Sequence, residues 1–100
     1  MHKVLVLIPC YNEEEDIGRT LDAIVQLEGD WECLIVDDSS DGTWQRVYET
    51  GAHSIFYVRP LYPDGRCGAR NLGMQVLKES CDVLVILNAD VLLPPDFLNI

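Results

Sequence analysis

Glu32-Cys33-Leu34-Ile35-Val36-Asp37-Asp38-Ser39-Ser40-Asp41-Gly42 is the stretch that decides the fold of this chain. Apolar residues run uninterrupted over 33–36, and two carboxylates and a polar turn follow at once. A strand with one wet face alternates apolar and polar residues. A continuous apolar run is buried on both faces, as in a parallel sheet covered by helices. The same form recurs on either side. Residues 3–8 run into Pro9-Cys10-Tyr11-Asn12, which breaks the first strand, and residues 82–87 run into Asn88-Ala89-Asp90.

Helical patterns fill the gaps. Asn12 reads as a helix start, with Glu15 three residues on as the reciprocal cap. Ile17, Leu21, Ile24 and Val25 then share one face, and Gly29 ends the segment. A second helix is predicted over 43–50, with Trp44, Val47 and Tyr48 on its apolar face and Gly51 as its stop. Residues 54–58 form a further strand. After a loop over 59–66, a third helix is expected over 67–79, and Pro94-Pro95-Asp96 opens what looks like a fourth. The order strand–helix, repeated, predicts one α/β domain over 1–100: a parallel sheet of about four strands with helices on both faces.

Parallel sheets bind ligands at the carboxyl ends of their strands. Polar residues gather at three such ends: Tyr11, Asn12 and Glu13 after the first strand, Asp37 and Asp38 after the second, Asn88 and Asp90 after the last. Adjacent carboxylates repel one another and call for donors or a cation. They are also common turn and cap residues. Asn88 and Asp90, two apart on an extended segment, would face one pocket and offer oxygen ligands to Mg²⁺ or Mn²⁺. Residues 65–71, Gly-Arg-Cys-Gly-Ala-Arg-Asn, enter a helix with two glycines and two arginines. Their spacing matches neither the dinucleotide fingerprint nor the P-loop. Arg70 reads equally as an anion contact or a surface residue.

The 100 residues carry 17 acids against 7 bases, a net charge of −10, which excludes a nucleic-acid footprint. No apolar run approaches the ~20 residues of a membrane span. The four cysteines, at 10, 33, 67 and 81, form no metal-ligand spacing, and the expectation is a reduced, cytoplasmic protein.

Four segments together resemble family 2 glycosyltransferases: Val4 through Pro9-Cys10-Tyr11-Asn12-Glu13; Ile35-Val36-Asp37-Asp38-Ser39-Ser40-Asp41-Gly42-Thr43; Gly68-Ala69-Arg70-Asn71-Leu72-Gly73; and Leu87-Asn88-Ala89-Asp90-Val91 with Pro95-Asp96-Phe97-Leu98. They occur in the family's order across nearly the whole chain. The resemblance implies the first half of a GT-A fold, a Rossmann-like nucleotide-binding unit. It also implies a nucleotide-diphosphate sugar donor with a divalent cation on its diphosphate. Carried over, Pro9, Tyr11 and Glu13 would border the base. Asp37 and Asp38 would accept a base N–H, favouring UDP-, dTDP- or GDP-linked donors. Arg70 would lie against the base or diphosphate, Asn88 near the ribose, and Asp90 on Mg²⁺ or Mn²⁺.

Asn88 stands where the family pattern usually has Asp. The family domain also runs to about twice this length, and its second half normally brings the acceptor site and the general base. No residue in the chain reads as that base. The resemblance therefore implies a truncated domain whose last strand has an open edge, covered by a second copy in a homo-oligomer or by a missing C-terminal segment. The alternatives are a non-catalytic nucleotide-sugar-binding or regulatory module, and a receiver-like domain, whose acidic pair should follow the first strand instead.

Overall fold

The computed structural model describes residues 3–51, 54–59 and 82–98. Four parallel strands, β1 (Val4–Cys10), β2 (Trp31–Asp37), β3 (Ile55–Val58) and β4 (Val83–Ile86), form one sheet in the order β3-β2-β1-β4. Two helices, α1 (Ile17–Ile24) and α2 (Thr43–Thr50), connect the first three strands. The structural class is α/β, as the strand–helix alternation requires. The third helix expected over 67–79, and Arg70 with it, lies outside the described residues.

The strand side chains divide by alternation. Val4, Val6, Ile8 and Cys10 of β1, with Cys33 and Ile35 of β2, meet Ile17, Leu21 and Ile24 of α1 and Val47 of α2. Leu5, Leu7, Leu34 and Val36 form a second cluster on the opposite face. Both faces of the central strand are therefore dry, which is why its sequence does not alternate. Each fully buried aliphatic side chain contributes about 1.5–3 kcal/mol, and most of these sit in β1, β2 and α1.

Four local expectations change. Pro9 does not end the first strand but lies within β1, in register with Val36. Successive residues of a strand address opposite neighbours. The Cys10 carbonyl accepts from the Asp38 N–H on the β2 side (3.0 Å), and the Leu7 carbonyl accepts from the Leu87 N–H on the β4 side (2.9 Å). Pro9 thus lacks its N–H on the β4 side, one step past the last pair, Leu7↔Ile86, where no ladder bond is lost.

Second, α1 starts at Ile17, not Asn12, and has no side-chain cap. Asn12 has φ 54°, a left-handed conformation that cannot begin a helix. A turn intervenes, with the Asp16 and Ile17 N–H groups both donating to the Glu13 carbonyl (3.1 and 2.9 Å). Third, α2 has its expected bounds and its left-handed Gly51 stop, but it buries Thr43 and Val47 and leaves Trp44 and Tyr48 exposed. Residues 94–97 form a turn closed by the Phe97 N–H on the Pro94 carbonyl (3.0 Å), in place of the expected helix start.

Candidate functional site

Strand order fixes where a ligand can enter. From β1 the chain proceeds to β2 and β3 on one side, and β4 lies on the other. Loops leaving β1 and β4 therefore diverge, and the crevice between them opens at the carboxyl rim. The ends of β1, β2 and β4 share that rim, because the strands are parallel and in register. Asp38 and Asn88 flank the end of β1 on opposite sides, roughly two strand spacings or ~10 Å apart.

The loops after β1 and β2 are bound to each other at every step. The Asn12 N–H donates to Ser39 Oγ (2.7 Å), and Asn12 Oδ1 accepts from the Ser40 N–H (2.9 Å). The Glu13 N–H donates to Thr43 Oγ1 (3.0 Å) and the Glu14 N–H to Asp41 Oδ2 (3.3 Å). Asp41 also accepts from the Thr43 N–H (3.0 Å) and hydroxyl (2.5 Å). Desolvation works to raise the Asp41 carboxyl, but the Thr43 hydroxyl and N–H and the Glu14 N–H outweigh it and hold its pKa below the usual range. The N–H groups of Asn12, Glu13 and Glu14 are thus taken by protein acceptors and do not form an anion cradle. What this lacing presents outward is Tyr11, 69% exposed, with Pro9 and Glu13 half-buried beside it.

The two adjacent carboxylates have different surroundings. Asp37 is 0% exposed. Its Oδ1 accepts from the Ser39 N–H (3.0 Å); its Oδ2 accepts from the Tyr57 hydroxyl (2.6 Å) and Arg59 Nη1 (3.3 Å). Register explains the meeting: Ile35 pairs with Tyr57 and Val36 with Val58, so the row continues from Asp37 to Arg59 on the same face. Tyr48 packs against the Tyr57 ring at 5.9 Å, and Trp44 meets Tyr48 edge-on at 5.8 Å. Burial and the bond to Asp37 push the Tyr57 phenol up to about 12, with Arg59 pulling the other way. Asp38, by contrast, is half-buried at the rim, its backbone held by Cys10. Cys10 itself is buried against this cluster. Desolvation first, then Asp37 and Glu13, drive its thiol well above its ordinary value, so it stays neutral and unreactive.

At the end of β4, Asn88 and Asp90 both reach solvent and Ala89 is buried between them. The cause is not the extended alternation expected from sequence. The Val91 N–H donates to the Asn88 carbonyl (3.1 Å), closing a turn over these residues. That turn is tied to the core through the Thr20 hydroxyl of α1, which donates to the Ala89 carbonyl. Among the described residues no three His, Cys, Asp or Glu side chains cluster to hold a metal ion. One exposed carboxylate with an amide nearby suits a hard cation that brings most of its oxygen ligands with it, from phosphates and water.

The sequence matches the family model for glycosyl transferase family 2 over residues 5–100. The chain belongs to that family. It is 34% identical over 98 residues to a dolichol-phosphate mannosyltransferase of Pyrococcus furiosus, covering 94% of this chain and 27% of the relative. It is 33% identical over 99 residues to an undecaprenyl-phosphate 4-deoxy-4-formamido-L-arabinose transferase of Pectobacterium carotovorum, covering 93% of this chain and 30% of that protein.

Among solved structures, the mannosyltransferase PcManGT of Pyrobaculum calidifontis, in complex with GDP-Man and Mn²⁺, superposes with a TM-score of 0.84 at 29% identity, over 97% of this chain and 30% of that one. Glucosyl-3-phosphoglycerate synthase of Mycobacterium tuberculosis, in complex with UDP, gives 0.72 at 26% identity, over 98% and 38%. The fold is therefore that of the GT-A glycosyltransferases, and this chain spans under two-fifths of the length of each of these proteins. No helix among the described residues is long and apolar enough to cross a membrane.

Of the residues singled out from sequence, Pro9, Tyr11, Glu13, Asp38, Asn88 and Asp90 share the rim, and Asp37 lies directly beneath it. Sequence reading passed over Tyr57, Arg59 and Thr20, and gave Ser39 and Thr43 no role beyond their place in a family-like segment. Thr20 carried a usable signal, a hydroxyl on the otherwise apolar face of Ile17, Leu21 and Ile24. Tyr57 and Arg59 carried none, since nothing local says which strand their row will join.

Proposed function

We propose that this domain binds the nucleotide-diphosphate sugar donor of a glycosyltransferase, with the base toward the loops of β1 and β2 and the diphosphate toward the turn after β4. One observation carries the reading: Tyr11, Asp38, Asn88 and Asp90 are all accessible on one rim at the point where strand order reverses. Asp38, not the fully engaged Asp37, is the carboxylate free to accept a base N–H. That preference suits uracil, thymine or guanine, which offer an imino N–H, over cytosine. Tyr11 offers a ring face, with Pro9 and Glu13 beside it. Asn88 can accept from a ribose hydroxyl. Arg70 is kept as a donor to base or diphosphate on the family motif alone.

Asp90 would hold Mg²⁺ or Mn²⁺ together with the diphosphate. When bound, the cation supplies positive charge against the leaving diphosphate. It also offsets the repulsion between an anionic donor and a chain of net charge −10. With one carboxylate on offer, the cation should bind weakly without nucleotide. Transfer to an acceptor is proposed for the longer protein of which such a domain forms the donor half. A reducing, cytoplasmic setting fits the buried free thiols of Cys10 and Cys33. The outer edge of β4, with Val83 and Ile86 exposed, is where a second copy or further chain would pair.

Calorimetric titration with UDP and with GDP, each with Mn²⁺, tests the donor site. Wild type should bind one of them in a cation-dependent way, and Asp90→Ala should lose the cation dependence. If wild type binds neither, the reading fails. Nucleotide binding without turnover of labelled UDP- or GDP-sugars by the full-length protein would favour the non-catalytic module instead.

A further inference from the structure

We infer that Tyr57 and Arg59, at the end of β3, are positioning residues that set the base-side loops of the donor site, an inference that rests on the donor-site reading above. The geometry converges on Ser39, which is 2% exposed and held at all three of its polar atoms. Its N–H donates to Asp37 Oδ1 (3.0 Å), its carbonyl accepts from Arg59 Nη2 (2.5 Å), and its hydroxyl oxygen accepts from the Asn12 N–H (2.7 Å). Asp37 is in turn fixed from the other side by the Tyr57 hydroxyl (2.6 Å) and Arg59 Nη1 (3.3 Å), and Arg59 Nη1 also reaches the Tyr57 oxygen (3.4 Å).

A continuous strut therefore runs from β3 through Asp37 and Ser39 to Asn12. The two ligand-facing segments, Asp38 and Tyr11, are each one residue away from a clamped one. Arg59 is half-exposed and Asp37 wholly buried, so the arginine also supplies the charge that a buried carboxylate needs. Neither Tyr57 nor Arg59 is assigned contact with the donor. Their effect passes through Ser39 to the loops that border the base, and does not extend to the turn after β4.

That division makes the test. Nucleotide·Mn²⁺ and pyrophosphate·Mn²⁺ affinities are measured on the same protein, for wild type, Arg59→Ala and Tyr57→Phe. We expect nucleotide affinity to fall about tenfold for Arg59→Ala, the scale of a lost charge-assisted hydrogen bond, and less for Tyr57→Phe. Pyrophosphate affinity should be unchanged in both, and Arg59→Lys should recover part of the loss. In the same variants, hydrogen exchange at the Asn12, Ser39 and Ser40 amides should quicken in the absence of nucleotide.

Unchanged nucleotide affinity in both variants overturns the inference. So does an equal loss for nucleotide and pyrophosphate, which would mark a general structural role. If Arg59→Ala does not fold, Tyr57→Phe, which removes one oxygen and keeps the ring packing, decides alone. Failure of wild type to bind either nucleotide overturns the donor-site reading, and this inference with it. The two failures are thereby distinguished.

Discussion

The two halves of the rim are built differently. On the β2 side, Asn12, Asp37, Ser39, Asp41 and Thr43 exchange hydrogen bonds so completely that each loop is the other's scaffold. On the β4 side, Asn88 and Asp90 stand in solvent on a turn that, among the described residues, is tied to the core by the Thr20 hydroxyl and the buried Ala89. The contrast teaches a division of labour. The dense side can be pre-organised for a rigid planar group, because its ordering cost is met on folding. On the donor reading proposed above, the sparse side would be ordered by what binds there, which suits a cation arriving with its own oxygen ligands.

Stability measurements can break this contrast, beginning with its densest point. Asp37→Ala should cost about 3 kcal/mol in urea unfolding, since it strands the buried Ser39 N–H and removes the partner of both the half-buried Tyr57 hydroxyl and Arg59. A loss comparable with that of a surface substitution would mean the network is ornamental. Next in size is an alkaline effect. The Tyr57 phenol ionises at about 12 in the fold against an ordinary value of 10.0. Its contribution to stability is therefore intact below pH 10 and is lost as pH rises toward 12. Phenolate absorbance should show a late-titrating component that is absent in Tyr57→Phe.

On the sparse side, Thr20→Val should cost about 1 kcal/mol by urea unfolding, one hydrogen bond at constant shape. It should also weaken cation-dependent nucleotide binding by loosening the turn. Smallest of all, Asp90→Ala should shift stability by less than about 0.5 kcal/mol, although it removes the proposed cation ligand. A large stability loss there would show that the β4 turn is as integrated as its counterpart, and the contrast would fall.

Much of this was legible in one dimension. Uninterrupted apolar runs at 4–8 and 33–36 dictate strands buried on both faces, and hence a parallel sheet, because only helices on its faces can keep such strands dry. The run at 83–87 forms a strand of the same sheet but leaves Val83 and Ile86 exposed, because β4 has β1 on one side and no described strand on the other. Gly51 marks the end of α2 because a left-handed residue is needed there and glycine bears it without strain. The placing of Tyr11, Asp38, Asn88 and Asp90 on a common rim follows from strand direction alone. What local pattern could not supply was which of two adjacent carboxylates is structural. Asp37 and Asp38 are identical in type and neighbours in sequence. One is sealed beneath Tyr57 and Arg59, and the other is left half-buried at the rim, because β3 docks beside β2 in a register set by the packing of distant residues. The delayed start of α1 has the same origin, since Asn12 is drawn out of helical geometry by bonds to Ser39 and Ser40, 27 and 28 residues on. Sequence alone determined the kind of sheet and the rim on which its chemistry collects, because burial and strand direction are encoded residue by residue. Only the tertiary structure decided which polar groups are spent on holding the loops and which are left for a ligand, because a hydrogen bond between distant segments exists only once the strands have paired.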